Sequence, residues 1–318
     1  MITWVVARSI SRPVQERLWK APFATRVLAV FERACDLVTR DGDVVALVTP
    51  QIGDGSLNIV VDGAAGLFGG INHGVPVTLE GSRGGVTPPL LRVGGLGVDL
   101  GWAAVWEPRP NWDALRARRA AIASHLPFVR ALCLRHASAG SLLALLEAPP
   151  PGGAPAEAIL STAQETAESL REGWGGDLGR LREGVAGLAG LGGGLTPAGD
   201  DFLTGVMLWA WLAHPAPGLL CRALVEVAAP RTTTLSAAFL RAAGRGECDT
   251  SWHALLAALT LPPAVGEPVE PSGGTGGVAE AEIAAAVREV LAHGATSGAD
   301  SLTGFLYIGM ARVPCLDA

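Results

Sequence analysis

The residues best suited to chemistry lie in one glycine-rich stretch, residues 190–205, which reads GLGGGLTPAGDDFLTG. Glycines let a backbone approach a ligand closely, and Thr-Pro before an apolar run is typical of a helix start, which Thr196 is expected to cap. The amides of such a first turn carry partial positive charge, which suits an oxyanion such as phosphate. The adjacent Asp200 and Asp201 would repel a bare anion, so we expect them to hold a divalent cation beside it. The predicted phosphate ligands in this stretch are Gly193, Gly194 and Thr196.

A second copy of the motif follows at residues 298–304, where GADSLTG aligns with GDDFLTG at residues 199–205. Asp300 then corresponds to Asp201, and both copies precede apolar segments that are too short to span a bilayer but long enough to form a buried helix. One interpretation is a packing device, in which Gly and Thr allow close helix contact and Asp caps a helix. The other is a shared site, which predicts that Asp201 and Asp300 lie together in one polar pocket.

Further candidate ligands lie between and around the two copies. Residues 230–236 read PRTTTLS, in which a predicted helix start supplies hydroxyls and amides and Arg231 offers a planar fork for carboxylate or phosphate. The alternative is that the hydroxyls only cap a helix and Arg231 is solvated. The predicted substrate ligands added here and in the second loop are Arg231, Thr232, Thr233, Ser236, Thr296 and Ser297.

His293 directly precedes the second loop, where an imidazole could shuttle protons or orient a substrate carbonyl. Alternatively it simply ends a helix, since a cation at that position suits the helix dipole. Together with Asp200, Asp201 and Asp300, it forms the predicted catalytic set. The chain lacks a Gly-x-Ser-x-Gly elbow, a complete Gly-x-x-x-x-Gly-Lys loop and a dinucleotide fingerprint. We therefore expect neither a nucleotide nor a redox cofactor. The cation expected at Asp200 and Asp201 would be Mg²⁺.

Composition narrows the class of protein. The 318 residues are 49% hydrophobic, 5% aromatic and 17% charged, with a formal charge of -6, which is typical of a compact globular protein. The absence of a dense basic run argues against nucleic-acid and membrane partners and favours a small anionic substrate. The five scattered cysteines indicate reduced thiols, and the amino end does not resemble an export signal, so we expect a cytoplasmic protein.

The pattern along the chain predicts an α+β fold, with a small β-rich sheet or barrel domain over residues 1–108 and a larger, mostly helical domain over residues 109–318. Short β-rich runs occupy residues 43–48, 57–61, 75–79 and 96–100, while residues 14–38 read as a helix or as a helix plus a strand. Asn111 is the expected cap of the first helix after a proline-rich hinge. Helices are predicted at residues 112–125, 141–147, 156–172, 254–259 and 279–291, with a connector at 149–155 and a surface loop at 262–277.

Three motifs occur in a fixed order: GGGLTPAGDD at residues 192–201, TTLS at 233–236 and HGATSGAD at 293–300. In these the chain resembles the AllH-like family over most of its carboxy-terminal half. The family's named member is one of three subunits of the heteromeric oxamate carbamoyltransferase of anaerobic allantoin degradation, a branch of purine catabolism. That enzyme interconverts oxalurate plus phosphate with oxamate plus carbamoyl phosphate. The resemblance thus implies a carbamoyltransferase subunit whose partners are other transferase subunits.

Carbamoyl transfer needs a phosphate cradle, donors to the carbamoyl oxygen and a group that binds the oxamate carboxylate. The glycine loop would hold phosphate, the aspartates would hold a cation or fix the nucleophilic amide, His293 would donate to the carbonyl, and Arg231 would bind the carboxylate. Two alternatives stay open. The chain could be a non-catalytic ligand-binding or scaffold subunit of that complex, or a metal-dependent hydrolase with Asp-Asp loops in an all-α domain.

Overall fold

The computed structural model describes residues 2–20, 25–81, 89–136, 140–147, 158–262 and 277–311. The chain separates into two compact units, the first formed by Met1–Pro110 with Glu247–Thr250 and the second by Asn111–Gly246 with Ser251–Ala318. A β-barrel over residues 3–106 is followed by a helical region, so the fold is α+β as predicted.

The barrel is built from short strands rich in β-branched residues. They are β1 (Thr3–Ser11), β2 (Thr25–Val30), β3 (Ala34–Thr39), β4 (Val44–Val48), β5 (Asn58–Val61), β6 (Pro76–Glu80), β7 (Leu90–Val93), β8 (Leu96–Asp99) and β9 (Ala104–Trp106). Their order is β5-β4-β3-β2-β6-β7-β8-β1-β9, and pairing of β1 with β5 closes eight of them into a barrel. The β4–β5, β1–β8 and β1–β9 pairs are parallel, and the others are antiparallel.

One hydrophobic core fills the barrel. Alternate residues of the strands face inward, such as Cys35 and Leu37 on β3, and helix α1 (Arg12–Lys20) adds Val14 and Leu18 from one of its faces. The four predicted strands correspond to β4, β5, β6 and β8. Residues 14–38, predicted as a helix or a helix plus a strand, contain most of α1, all of β2 and most of β3, because short strands beside an amphipathic helix leave no clear period in the sequence.

The second unit consists mainly of helices. They are α2 (Trp112–Ala117), α3 (Arg119–His136), α4 (Ala158–Gly173), α5 (Leu178–Leu188), α6 (Ala198–Ala213), α7 (Pro217–Ala228), α8 (Thr234–Gly244), α9 (Thr250–Ala258), α10 (Val278–Leu291) and α11 (Ser297–Gly309), with 3-10 helices at Leu142–Leu146 and Ala229–Arg231. Asn111 caps α2 as predicted, since its side chain accepts from the Ala114 amide at 3.1 Å. The predicted connector at residues 149–155 lies outside the described residues, as does nearly all of the predicted loop at 262–277.

Two further features of the described residues bear on the sequence-based expectations. Within those residues, no helix has the combined length and apolarity that crossing a bilayer would require. The cysteines that the structure describes are free and buried, in agreement with the predicted reduced thiols: Cys35, Cys133, Cys221 and Cys248.

Candidate functional site

The glycine-rich stretch forms a surface loop that leads into α6. Gly190, Gly192 and Gly194 have φ of 75°, 111° and 86°, a region that other residues rarely adopt, which explains why the loop is rich in glycine. Pro197 occupies the N-cap position of α6, and its carbonyl accepts from the amides of Asp200 and Asp201. Thr196 was expected to cap the helix, but α6 has no side-chain cap.

Asp200 holds this loop against the start of α8. Its Oδ1 accepts from the Gly190 amide at 3.0 Å, and its Oδ2 accepts from the hydroxyls of Thr232 and Ser236, the latter at 2.8 Å. The side chain is buried, at 1% exposure, so these donors compensate for the water it has lost. Both oxygens of Asp200 are therefore engaged by the protein itself.

The second loop meets the first, because α6 and α11 cross at a pair of equivalent glycines. A Cβ on Gly205 of α6 would overlap the Ser301 carbonyl, and one on Gly304 of α11 would overlap the Phe202 carbonyl. In the repeat alignment Gly205 matches Gly304 and Phe202 matches Ser301, so the crossing is close to a local two-fold. The packing interpretation of the repeated glycines is confirmed in this respect.

The same crossing places the starts of α6 and α11 side by side. The Thr196 hydroxyl lies 3.1 Å from the Ser297 hydroxyl, which links one loop directly to the other. Asp201 and Asp300, each in the first turn of its helix, lie close enough to interact electrostatically. The two loops thus form one cluster.

Asp300 is buried more deeply than Asp201. Its side chain is 0% exposed, and its Oδ1 accepts from the amide of Leu142 at 2.6 Å, at the start of the 3-10 helix. Leu142 is a site residue that the sequence did not indicate. A free amide is expected at any helix start, but nothing local identifies its acceptor 158 residues away.

Burial raises the pKa of both carboxyls. The pKa of Asp201 rises to about 8, chiefly through loss of solvent and also through the charges of Asp300 and Asp200, while hydrogen bonding to Ser297 and Thr196 opposes the rise. The pKa of Asp300 rises to about 6 through burial, opposed by the Leu142 amide and Thr296. Within the described residues, Oδ2 of Asp201 and Oδ2 of Asp300 are both buried and have no hydrogen-bond partner.

An anion could be held at the outer end of the loop. Gly193 and Gly194 are exposed, a Cβ on either would meet nothing within 4 Å, and their amides make no hydrogen bond to any residue that the structure describes. Free amides beside the first turn of a helix are typical of phosphate and carboxylate sites. This part of the predicted cradle is accessible to a ligand.

The other predicted ligands are divided between the cluster and the surrounding structure. Thr233 caps α8, and its hydroxyl donates to the Leu195 carbonyl, so it braces the glycine loop. Arg231 is exposed and its guanidinium donates to the Val227 carbonyl, not to the aspartates. The His293 carbonyl accepts from the Gly298 amide at 3.1 Å, which fixes the start of α11.

The carboxylate oxygens of Asp200 and Asp201 give limited support to a cation site. Both oxygens of Asp200 already accept hydrogen bonds, which leaves Oδ2 of Asp201 and Oδ2 of Asp300 as the unpartnered oxygens of the cluster. Across the described ranges, no group of three or more His, Cys, Asp or Glu residues is arranged to hold a metal ion. The expectation of Mg²⁺ stays a prediction.

Comparison with known proteins bears on this same region. A family model described as oxamate carbamoyltransferase subunit AllH matches residues 188–267, which include the glycine loop, Asp200 and Asp201, and the start of α8. The AllH-like resemblance is confirmed. The match spans a quarter of the chain and ends before the second loop, so it does not bear on the placement of α11 and Asp300 in the cluster. No curated protein and no solved structure matched the chain.

Proposed function

We propose that this chain is a subunit of a carbamoyltransferase that acts on oxamate or oxalurate, with carbamoyl phosphate and phosphate as co-substrates, and that the glycine loop binds the phosphate group. The observation that carries the proposal is the AllH match at residues 188–267, which begins with the loop whose Gly193 and Gly194 amides donate to none of the residues that the structure describes. Asp200 supports that loop from beneath through Gly190 and the start of α8.

The reaction transfers a carbamoyl group between nitrogen and phosphate oxygen. The amide nitrogen of oxamate attacks the carbamoyl carbon, the carbon–oxygen bond to phosphate breaks, and the proton lost from nitrogen is balanced by protonation of the released phosphate. In reverse, phosphate attacks oxalurate and oxamate leaves. No covalent enzyme intermediate is required, so positioning and charge stabilisation are the tasks that remain for the protein.

The free loop amides are suited to one of those tasks. Backbone donors that are already in place gain strength where water is displaced, and they need no reorganisation as charge moves onto the leaving phosphate. Arg231 ends the 3-10 helix Ala229–Arg231 and has an exposed side chain, so it is a candidate to bind the oxamate carboxylate. Its guanidinium would first have to give up the hydrogen bond to the Val227 carbonyl. Partner subunits would supply the remainder of the site.

Phosphate binding tests the cradle directly. Gly193→Glu places a carboxylate at the free amides, and because its Cβ enters open space the fold should be unaffected. We expect binding of inorganic phosphate, measured by titration calorimetry, to weaken at least about tenfold, as a like charge opposite the ligand costs more than about 1.4 kcal/mol. Gly175→Glu is the matched control, since Gly175 is also exposed with open space around its Cβ.

The activity itself needs the assembled enzyme. The chain should be assayed for phosphorolysis of oxalurate alone and together with its partner transferase subunits. Turnover that requires this chain and that falls in the Gly193→Glu variant, but not in Gly175→Glu, supports the proposal. Equal turnover with and without the chain, or phosphate binding that both glutamate variants weaken alike, would contradict it.

A further inference from the structure

The start of α8 holds the glycine loop at both of its ends. At the first end, Asp200 links the Gly190 amide to two hydroxyls of that helix start. At the other end, the Thr233 hydroxyl donates to the Leu195 carbonyl at 2.5 Å. Between these two anchors, the amides of residues 192–194 donate to none of the residues that the structure describes. The part of the loop that is open to a ligand is therefore a short span between two fixed points.

The second anchor decides which way the backbone faces between Leu195 and Thr196. A peptide unit is planar and trans, so its carbonyl and its N–H point to opposite sides. The Leu195 carbonyl is bonded to the start of α8, so the Thr196 amide of the same peptide unit points away from α8. That amide also donates to none of the described residues. The contact with Thr233 thus directs an acceptor toward α8 and leaves a donor on the opposite side of the loop.

We propose that Thr233 is a positioning residue for phosphate, a role that rests on the function proposed above. It acts on the anion through the glycine loop and not by contact with it. Its hydroxyl keeps the Leu195 carbonyl away from the phosphate oxygens, so that the loop amides are presented together. Without this bond the glycines can sample many backbone conformations, and phosphate binding then includes the entropic cost of ordering them.

The same hydroxyl also caps α8, because it accepts from the Ser236 amide at 3.1 Å. A test must therefore separate loss of the loop contact from loss of the cap. Thr233→Ser keeps both hydrogen bonds, and Thr233→Val removes both with little change in volume. Thr233→Gly removes the loop contact but disturbs the helix start little, since glycine is well tolerated as an N-cap.

Binding of inorganic phosphate by the full chain, measured by titration calorimetry, is the first readout. We expect Thr233→Val and Thr233→Gly to weaken it at least about fivefold, which corresponds to the ordering of about one backbone residue. Thr233→Ser should bind within about twofold of the wild type. Asn111→Ala is the matched control, since it removes an N-cap elsewhere in the same unit. It should lower the melting temperature and leave phosphate affinity within about twofold.

The order of the loop can be measured without any ligand. Backbone ¹⁵N relaxation of Gly193, Gly194 and Thr196 should give lower order parameters in Thr233→Val and Thr233→Gly than in the wild type or in Thr233→Ser. In the assembled enzyme, the first two variants should raise the KM for phosphate at least about fivefold. Turnover at saturating phosphate should stay within about twofold, because bound phosphate then orders the loop.

Several results would overturn the positioning role. They are unchanged phosphate affinity in Thr233→Gly, a loss that Thr233→Ser shares in full, an equal loss in Asn111→Ala, or loop amides that are equally ordered in all the variants. Thr233→Gly decides the matter if Thr233→Val does not fold. Failure of the proposed function is distinguishable from these results. In that case the wild-type chain neither binds phosphate nor supports phosphorolysis, although the loop still loses order in Thr233→Gly.

Discussion

Asp200 and Asp201 are adjacent in the chain, yet their carboxylates have different surroundings. Asp200 accepts from the Gly190 amide and from the hydroxyls of Thr232 and Ser236, so its burial is compensated. Asp201 has a buried oxygen without a partner among the described residues and a pKa raised to about 8. Removing the first carboxylate leaves its donors unsatisfied, while replacing the second by an amide leaves the hydrogen bonds of Asp200 intact.

Replacement of these two residues should therefore affect stability to different extents. Asp200→Ala should lower the free energy of unfolding by about 2–4 kcal/mol, because up to three donors lose their acceptor. Asp201→Asn should change it by less than about 1 kcal/mol at pH 7, since the pKa of about 8 keeps most of the carboxyl uncharged at that pH and an amide of the same volume replaces it. Urea denaturation of both variants checks this. Equal losses would contradict the structural role of Asp200.

At the scale of elements, the site depends on how closely α6 and α11 approach. Both helices are apolar around most of their circumference, which suits core helices, and they bury all but a few of their residues. Gly205 and Gly304 bring one backbone against the other, and this contact sets the position of both first turns. The positions of Asp201 and Asp300 thus depend on two glycines, which have no side chain of their own.

Adding a methyl group at the crossing should separate the helices. Gly205→Ala and Gly304→Ala should each destabilise the protein by about 3 kcal/mol or more, because the new Cβ overlaps a backbone carbonyl that cannot rotate away. Gly193→Ala is the control, since its Cβ enters open space, and its melting temperature should match the wild type. Normal melting temperatures for the two crossing variants would mean that the helices lie farther apart.

At the scale of the whole molecule, buried acids occur in both units. Burial raises the pKa of Asp36 in the barrel to about 7, and that of Asp201 and Asp300 in the helical unit to about 8 and about 6. An unfolded aspartate has a pKa near 3.9, so between that pH and the folded pKa the folded state binds more protons than the unfolded state. The free energy of unfolding therefore decreases as pH rises across this interval.

Both units should consequently be more resistant to denaturation at pH 5 than at pH 8.5. Each unit of pKa elevation corresponds to about 1.4 kcal/mol, so the combined loss should reach several kcal/mol. Asp36→Asn should flatten the pH dependence of barrel unfolding. The double variant Asp201→Asn with Asp300→Asn should flatten the pH dependence of unfolding of the helical unit. Denaturation followed by probes in each unit checks this, and a wild-type protein that gains stability from pH 5 to pH 8.5 would contradict it.

Local signals in the sequence were sufficient for part of the fold. Proline before an apolar run located the start of α6, Asn111 marked the start of α2, and β-rich runs located β4, β5, β6 and β8. These signals act over a few residues, through capping and side-chain period. The repeat around Asp201 and Asp300 is also visible in the sequence, and it indicates two related loop–helix units.

What the residues of the loops do was decided by tertiary contacts. Thr196 was expected to cap α6 and instead faces Ser297, a residue 101 positions away. The oxygens of Asp200, a cation ligand in the sequence-based prediction, accept from the Gly190 amide and the start of α8, and no local pattern in the sequence indicated these contacts. The sequence by itself determined that carboxylates and glycines begin two core helices. Only the crossing of those helices determined which carboxylate is satisfied and which is left free, because hydrogen-bond partners depend on distances in space and not on separation along the chain.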